Sequence, residues 1–418
     1  MELRLISLLG VVVLIAAAWA LSLNRRRFPW RTVFWGVALQ FICGLLVLKA
    51  PWGRAVFDFT GNAINKLVGF ANEGCQFVFG PLAKAEVLKT PFGERNTFVF
   101  AIVVAGTIII VSALSSLFYH WGLLQKIVRA IAWVMRTLMR TSGSETLSAT
   151  ANIFMGQTEA PLVVKPYITG MTRSELLCMM TGGMATIAGG VAAVYVKMAT
   201  DAGHPDFAGH LLTASVMNAP AALLMSKILL PETEKSETAA SAPADVPRTT
   251  VNSIDALCRG ASDGLFLTLN VLAMLIAFIA IVALGNYLLV GFQNVAQVAE
   301  PKTLQQMLGW LNAPFAWLMG VPSKDVLAIG QVLGERIVLN EFIGYNTLNG
   351  LTVDSRSYAI ATFALCGFAN FSSIAIQVGG IGSLAPERRG EMARLGLRAM
   401  LGGLLACYLS SCIAGVLL

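Results

Sequence analysis

Seven stretches of this chain run for roughly 20 residues without an Asp, Glu, Lys or Arg: Leu5–Leu23, Thr97–Tyr119, Leu176–Val196, Phe207–Ser226, Leu265–Val290, Ser357–Ile381 and Ala399–Leu418. About 20 apolar residues in a helix cross the roughly 30 Å of bilayer hydrocarbon. Val33–Leu48 is shorter but lies between Arg31 and Lys49, and makes an eighth. The chain is therefore expected to be an all-α polytopic membrane protein with eight transmembrane helices. Composition agrees: 56% of the 418 residues are hydrophobic and only 13% charged, about half the charged share of a soluble domain.

The net charge of +7 comes from Lys and Arg scattered at the ends of the apolar runs. No basic stripe with interleaved aromatics is present, so nucleic acid is not the expected partner; the lipid bilayer is. Cys43, Cys178, Cys366, Cys407 and Cys412 lie inside apolar runs without metal-ligand spacing, and His204 and His210 share one short loop. These are small membrane hydrophobes rather than a disulfide framework or a metal centre. Ala18-Trp19-Ala20 resembles a signal cleavage site, but Arg25-Arg26-Arg27 follows the apolar run instead of preceding it. A retained span with an external N-terminus is the expectation.

That orientation puts Arg25–Arg27, Arg31, Lys126, Arg129, Arg136, Arg140, Lys165, Arg173, Lys227, Lys235, Arg248, Arg259, Arg388, Arg389, Arg394 and Arg398 in the cytoplasm, with the C-terminus outside. It requires Ser144–Pro166 and Pro322–Leu351 each to enter and leave on one side. Both are too polar and broken for ordinary spans, and they read as two re-entrant helical hairpins. Trp52–Phe79 carries Phe57, Ile64, Leu67, Val68 and Phe70 at helical spacing beside Asp58, Asn62, Asn65 and Lys66, and reads as an interfacial helix. Leu304–Trp317 suits a similar role. Pro231–Val251 is a polar linker.

The division expected is a scaffold part (1–119), a first transport half (120–230), the linker (231–251), a second scaffold part (252–321) and a second transport half (322–418). Each transport half follows a span with a hairpin, a span broken at Thr186–Gly190 or Asn370–Ser373, and a further span. The first set begins outside and the second inside. Such inverted repeats with broken helices are the architecture of secondary transporters.

Two carboxylates stand inside this apolar frame: Glu159 after Gln157 and Thr158, and Glu341 after Asn340. An ionisable group at membrane depth costs at least about 2.5–3.5 kcal/mol and marks a substrate or ion path. The bland alternative is a buried structural pair. Arg336, the one nearby cation, reads as an ion pair with Glu335 within the hairpin. An intramembrane enzyme would need a water-activating partner or metal triad beside the Glu pair, and none is visible. A channel would not need inverted hairpins. Gly379-Gly380-Ile381-Gly382 lacks the preceding strand and following Lys of a phosphate loop.

Gly156-Gln157-Thr158-Glu159-Ala160-Pro161-Leu162, Met180-Thr181-Gly182-Gly183 with Ala185-Thr186-Ile187, Asn340-Glu341-Phe342 and Gly367-Phe368-Ala369-Asn370-Phe371-Ser372-Ser373-Ile374 together resemble the concentrative nucleoside transporters, along essentially the whole chain. The resemblance implies a homotrimer in the plasma (inner) membrane. Each protomer would have a fixed scaffold and a moving domain of hairpins and broken spans. The substrate would be a nucleoside such as uridine, a flat base with mixed donors and acceptors on an uncharged ribose. It wants amide, hydroxyl and carboxylate partners, whereas a nucleotide would need Arg or Lys opposite its phosphate. By similarity, Gln157, Thr158 and Glu159 address the base, Val191 and Phe368 pack on it, and Glu341, Asn370 and Ser373 hold the ribose. From the residues alone, Phe368 is equally a core aromatic. No cofactor is implied. The coupling ion of the sodium-using branch would sit on the Asn152 and Thr186 side chains with the Met155 and Ile187 carbonyls. Proton-coupled members carry Ser where Thr158 stands, which favours sodium and leaves protons as the alternative.

Overall fold

The computed structural model describes residues 2–49, 51–84, 87–88, 99–239 and 250–418, the side chains at 51–61, 64, 65, 68, 100, 103, 274, 275 and 278 excepted. Among the described residues every regular element is helical. The eight expected spans fall on α1 (Glu2–Ala20), α2 (Trp30–Leu48), α4 (Phe100–His120), the pair α8 (Arg173–Ala185) and α9 (Gly189–Asp201), α10 (Phe207–Leu229), α11 (Ser253–Val295), the pair α15 (Ser355–Leu365) and α16 (Phe371–Gly380), and α17 (Arg389–Leu417). Residues 97 and 98 of the third lie outside the described residues. Among the described residues, five runs are long and apolar enough to cross a membrane: α1, α2, α8 with α9, α10 and α17. A sixth is α4 taken with α5 (Leu123–Met139), bent by 76°.

The bend falls at Gly122, whose φ of +75° suits glycine. Beyond it, α5 buries Gln125, Val128, Ala132, Met135 and Met139, three to four residues apart, while Lys126 and Arg129 face outwards. This amphipathic helix is an element the apolar-run count overlooks. The segment read as interfacial is helical over α3 (Pro51–Phe79), and it exposes Phe70, Phe77 and Phe79. Phe57, Asp58, Ile64, Asn65 and Val68 lie outside the described side chains. The second such segment, α12 (Leu304–Leu318), packs along α13 (Val326–Val338).

Both hairpins form, unequally. In the second, α13 and α14 (Glu341–Gly350) meet at Leu339–Asn340, where the Asn340 side chain caps α14 by accepting the Ile343 N–H at 3.0 Å. In the first, α6 (Gly143–Ala151) starts at a capping box between Ser142 and Glu145. Its return limb is only α7 (Ala160–Val163), with Pro161 in its first turn, and a 3₁₀ turn at Lys165–Tyr167, because Pro166 lacks the N–H that a continuing helix needs.

The two broken helices cross at their breaks. Gly367 has a φ of +159°, and a β-carbon there would lie 2.7 Å from the Ala185 carbonyl carbon, so only glycine fits. Helix ends inside protein leave orphan carbonyls that need partners. Asn218 of α10 donates to Ala185 O at 2.7 Å and Cys366 O at 2.6 Å. Arg336 of α13, fully buried, donates to Ala364 O and to Gly367 O. This corrects the expected Glu335 pairing: the guanidinium caps broken helix ends, and Glu335 accepts from Gln331 instead. Backbone carbonyls exposed by a break offer Arg336 several fixed acceptors that an adjacent carboxylate on the same turn does not.

The linker is not a free tether at its start. Thr238 pairs with Gly143 N and Ser144, Ser236 with Glu175, and Glu232 with Thr172 and Lys227. Lys227, buried, also pairs with Glu145 at 2.7 Å. Residues 240–249 lie outside the described residues. At the opposite end of the molecule Arg4 donates to Leu418 O, so the two chain ends are neighbours.

Candidate functional site

Between the two hairpin tips and the two helix breaks lies a cavity of about 400 Å³. Gln157, Thr158 and Glu159 reach it from the first hairpin, Glu341 from the second, Val191 from the start of α9, and Phe368, Asn370 and Ser373 from the second break. The sequence-predicted substrate residues thus share one space. The opposite wall is apolar: Val104 and Ile108 of α4 with Leu267, Val271 and Ala273 of α11. Among the described lining residues none is basic, so the cavity suits an uncharged ligand rather than a phosphate.

The polar side is pre-organised. Glu341, at the first position of α14, accepts from Tyr195 OH at 2.8 Å and from Asn370 Nδ2 at 3.0 Å. It also stands at a helix N-terminus, where negative charge is favoured. Asn370 cannot turn its amide round: its Oδ1 caps α16 by accepting Ser373 N–H at 2.9 Å and Ser372 Oγ–H at 2.7 Å, which leaves Nδ2 for Glu341. Gln157 Nε2 donates to Ser373 Oγ at 3.1 Å, joining the first half of the chain to the second. Glu159 accepts from Gly156 N at 3.2 Å and is otherwise exposed to the cavity. The two Glu make no hydrogen bond with each other: Glu341 is held by Tyr195 and Asn370, and Glu159 by the Gly156 N–H.

Tyr195 and Asn270 are lining residues that the sequence reading passed over. Tyr195 stands one turn after Val191 on the same helix face, a spacing that points to it once Val191 is placed. Asn270 is an amide within an apolar run, the signal used for the Glu pair in weaker form.

Beside the cavity, the expected ion ligands come from two elements that touch. Gly189 N donates to Phe154 O at 3.3 Å, tying the first hairpin tip to the start of α9. Asn152 caps the end of α6, donating to Ser148 O at 3.0 Å, while its buried Oδ1 has no partner. Thr186, also buried, donates to Gly182 O at 3.0 Å and keeps its lone pairs. Asn152 lies against α8 one turn before Thr186, where a β-carbon on Gly182 would stand 3.4 Å from its Nδ2; amide, hydroxyl and carbonyl oxygens are the donors a hard cation takes.

Known proteins match along the whole length. A family model described as "Na+ dependent nucleoside transporter C-terminus" matches residues 210–415, its N-terminal counterpart residues 9–82, and a "Nucleoside recognition" model residues 101–202. A Bacillus subtilis (strain 168) protein, the uncharacterized transporter YutK, is 43% identical over 412 residues, 98% of each chain. The solved structure of CNTnw in an inward-facing substrate-bound state is 39% identical with a TM-score of 0.90, covering 99% of this chain and 97% of that one. The chain belongs to the concentrative nucleoside transporter family. This makes the transporter an integral membrane protein and not an enzyme. A CNTnw variant in an outward-facing state matches with a TM-score of 0.92, at 39% identity over 99% of this chain and 97% of that one. Solute carrier family 28 member 3 of Mus musculus is 36% identical over 99% of this chain, which spans 59% of that protein's length.

Proposed function

We propose that the transporter imports nucleosides by symport, driven by an inward sodium gradient, through elevator-type alternating access. The observation that carries this reading is the cavity itself. Polar side chains from both halves of the chain, Gln157, Thr158 and Glu159 with Glu341, Asn370 and Ser373 among them, face a largely apolar wall across one space.

In this reading the ribose hydroxyls donate to Glu341, whose two oxygens are already oriented by Tyr195 and Asn370. Asn370 and Ser373 complete the sugar site. The base lies between Val191 and Phe368 with its polar edge toward Gln157, Thr158 and Glu159; the Glu159 carboxylate accepts a base N–H, a charge-assisted bond. Sodium binds Asn152 Oδ1, the Thr186 hydroxyl oxygen and the Met155 and Ile187 carbonyls. It thereby fixes the hairpin tip that carries Gln157–Glu159, so ion and nucleoside each raise the affinity for the other by the same factor.

The moving body comprises 120–230 and 322–418, and the fixed body 1–119 and 252–321, with 231–251 between the halves. The apolar wall of α4 and α11 offers the moving body no polar group to leave behind except Asn270. Both termini are proposed to lie outside the cytoplasm, in keeping with the Arg4–Leu418 contact, and the assembly in the inner membrane to be a homotrimer. The test is uridine uptake into proteoliposomes under separately imposed sodium and proton gradients. Uptake is expected to follow sodium. Uptake that ignores sodium and follows protons overturns the ion assignment, and absence of nucleoside uptake under either gradient overturns the whole.

A further inference from the structure

Gln377 lies on α16 one turn beyond Ser373, behind the cavity wall and fully buried. Its amide nitrogen donates to Met180 O at 3.0 Å and to Gln157 Oε1 at 3.1 Å. A backbone carbonyl can only accept, so the Met180 contact fixes which end of the Gln377 amide is nitrogen. Turning the amide over would set its oxygen against two acceptors. The constraint passes to Gln157, which must present its oxygen to Gln377 and its nitrogen to the other side. There one N–H goes to Ser373 Oγ at 3.1 Å. The remaining N–H is what Gln157, a lining residue, has left to offer a ligand. A direction set by one carbonyl in α8 is thus relayed through two buried amides to the cavity.

From this relay we infer that Gln377 is a positioning residue that holds Gln157 as a hydrogen-bond donor toward the base. The transporter then selects nucleosides whose base places a carbonyl oxygen or unprotonated ring nitrogen there. The inference rests on the proposed assignment of Gln157 to the base. A base lacking that acceptor leaves a desolvated N–H unpaired, the arrangement by which polar sites reject analogues. If Gln377 is removed, the Gln157 amide is free to turn and meet either a donor or an acceptor. Gly183 of α8 closes the relay from the other side: a β-carbon there would stand 2.7 Å from Gln377 Nε2 and 2.9 Å from Gln157 Cβ. A side chain at Gly183 pushes the two amides apart without removing either.

The test is a binding titration of the purified transporter in saturating sodium. The probes are uridine, 2-thiouridine and 4-thiouridine (weaker acceptors that keep the ring N–H), 3-deazauridine (which lacks that N–H) and 3′-deoxyuridine. The native protein is expected to bind one of the two thio analogues about tenfold more weakly than uridine. In Gln377→Met that ratio falls below about threefold, while a 3′-deoxy penalty persists because Glu341 is oriented by Tyr195 and Asn370 rather than by Gln157. Gly183→Ala shifts the ratio in the same direction and stands as the test if Gln377→Met does not fold. Unchanged thio ratios in the variants overturn the inference. So does a native protein indifferent to both thio analogues, or a variant that relieves the 3-deaza penalty instead, which would make Gln157 an acceptor. Uridine affinity that survives Gln157→Ala undiminished is a different failure, that of the base assignment itself.

Discussion

The two ends of the buried-to-exposed range in this molecule are α10 with α8–α9 and α17 on one side, and α1 with α2 on the other. In the first group 89% of each apolar window is buried within the chain; in the second, 28%. The buried group carries amides and hydroxyls such as Asn218, Thr181 and Thr186 through its interior, whereas the exposed group is mostly aliphatic and aromatic outside and turns its few polar residues, Ser7, Thr32 and Gln40, to the protein. In a bilayer the solvent is itself apolar, so burial in protein is what permits polar groups and irregular backbone. The helices that can be broken are therefore those that other helices cover. The site follows from that: breaks at Thr186–Ala188 and Cys366–Asn370 are tolerated because Asn218, Arg336 and Cys407 stand over their loose carbonyls.

The sharpest way to break this contrast is to remove a cap. Arg336→Met strands the Ala364 and Gly367 carbonyls in the interior, and unfolding in detergent should show a loss of about 3 kcal/mol or more. A loss under about 1 kcal/mol would mean that the breaks do not depend on the guanidinium. Next comes the ligand. Glu341→Gln keeps shape but replaces one acceptor oxygen with a donor, and uridine binding should weaken by about 1.5–3 kcal/mol. Undiminished affinity would move Glu341 out of the site. For the ion, Asn152→Ala should raise the sodium concentration for half-maximal uptake by about tenfold, which is 1.4 kcal/mol, with maximal uptake retained. At the other end of the range, Leu8→Ala on the exposed face of α1 should alter detergent stability by no more than about 0.5 kcal/mol. A large loss there would erase the distinction between covered and lipid-facing helices.

The parts of the architecture that were legible share one physical cause. Apolar runs and the polar breaks inside them are local signals. Asn370-Phe371-Ser372-Ser373 marks a helix start because Asn is an N-cap whose carbonyl takes the Ser373 N–H. Asn340 does the same for α14. What was not legible depends on contacts distant in sequence or on backbone. Thr238 meets Ser144, 94 residues away, a contact that the polar composition of the linker does not announce. The partners of Arg336 are carbonyls, which have no residue signature, and the carboxylate beside it in sequence was the wrong partner. Tyr195 was hidden by its type, since an aromatic in an apolar run reads as core until Glu341 is placed opposite its hydroxyl.

The central claim is that hairpins and broken helices form one body that slides along α4 and α11, and paired cross-links test it most directly. With the exposed Cys258 changed to Ser, one protein carries Phe154→Cys and Gly189→Cys, within the proposed body. Another carries Ser112→Cys and Gly190→Cys, where α9 meets α4 and a Gly190 β-carbon would lie 3.5 Å from Ser112 Oγ. Oxidation of the first pair should leave uridine uptake intact. Oxidation of the second should stop it, with recovery on reduction. Full uptake through a completely formed Ser112–Gly190 cross-link, together with loss of uptake from the Phe154–Gly189 one, would contradict the moving-body account.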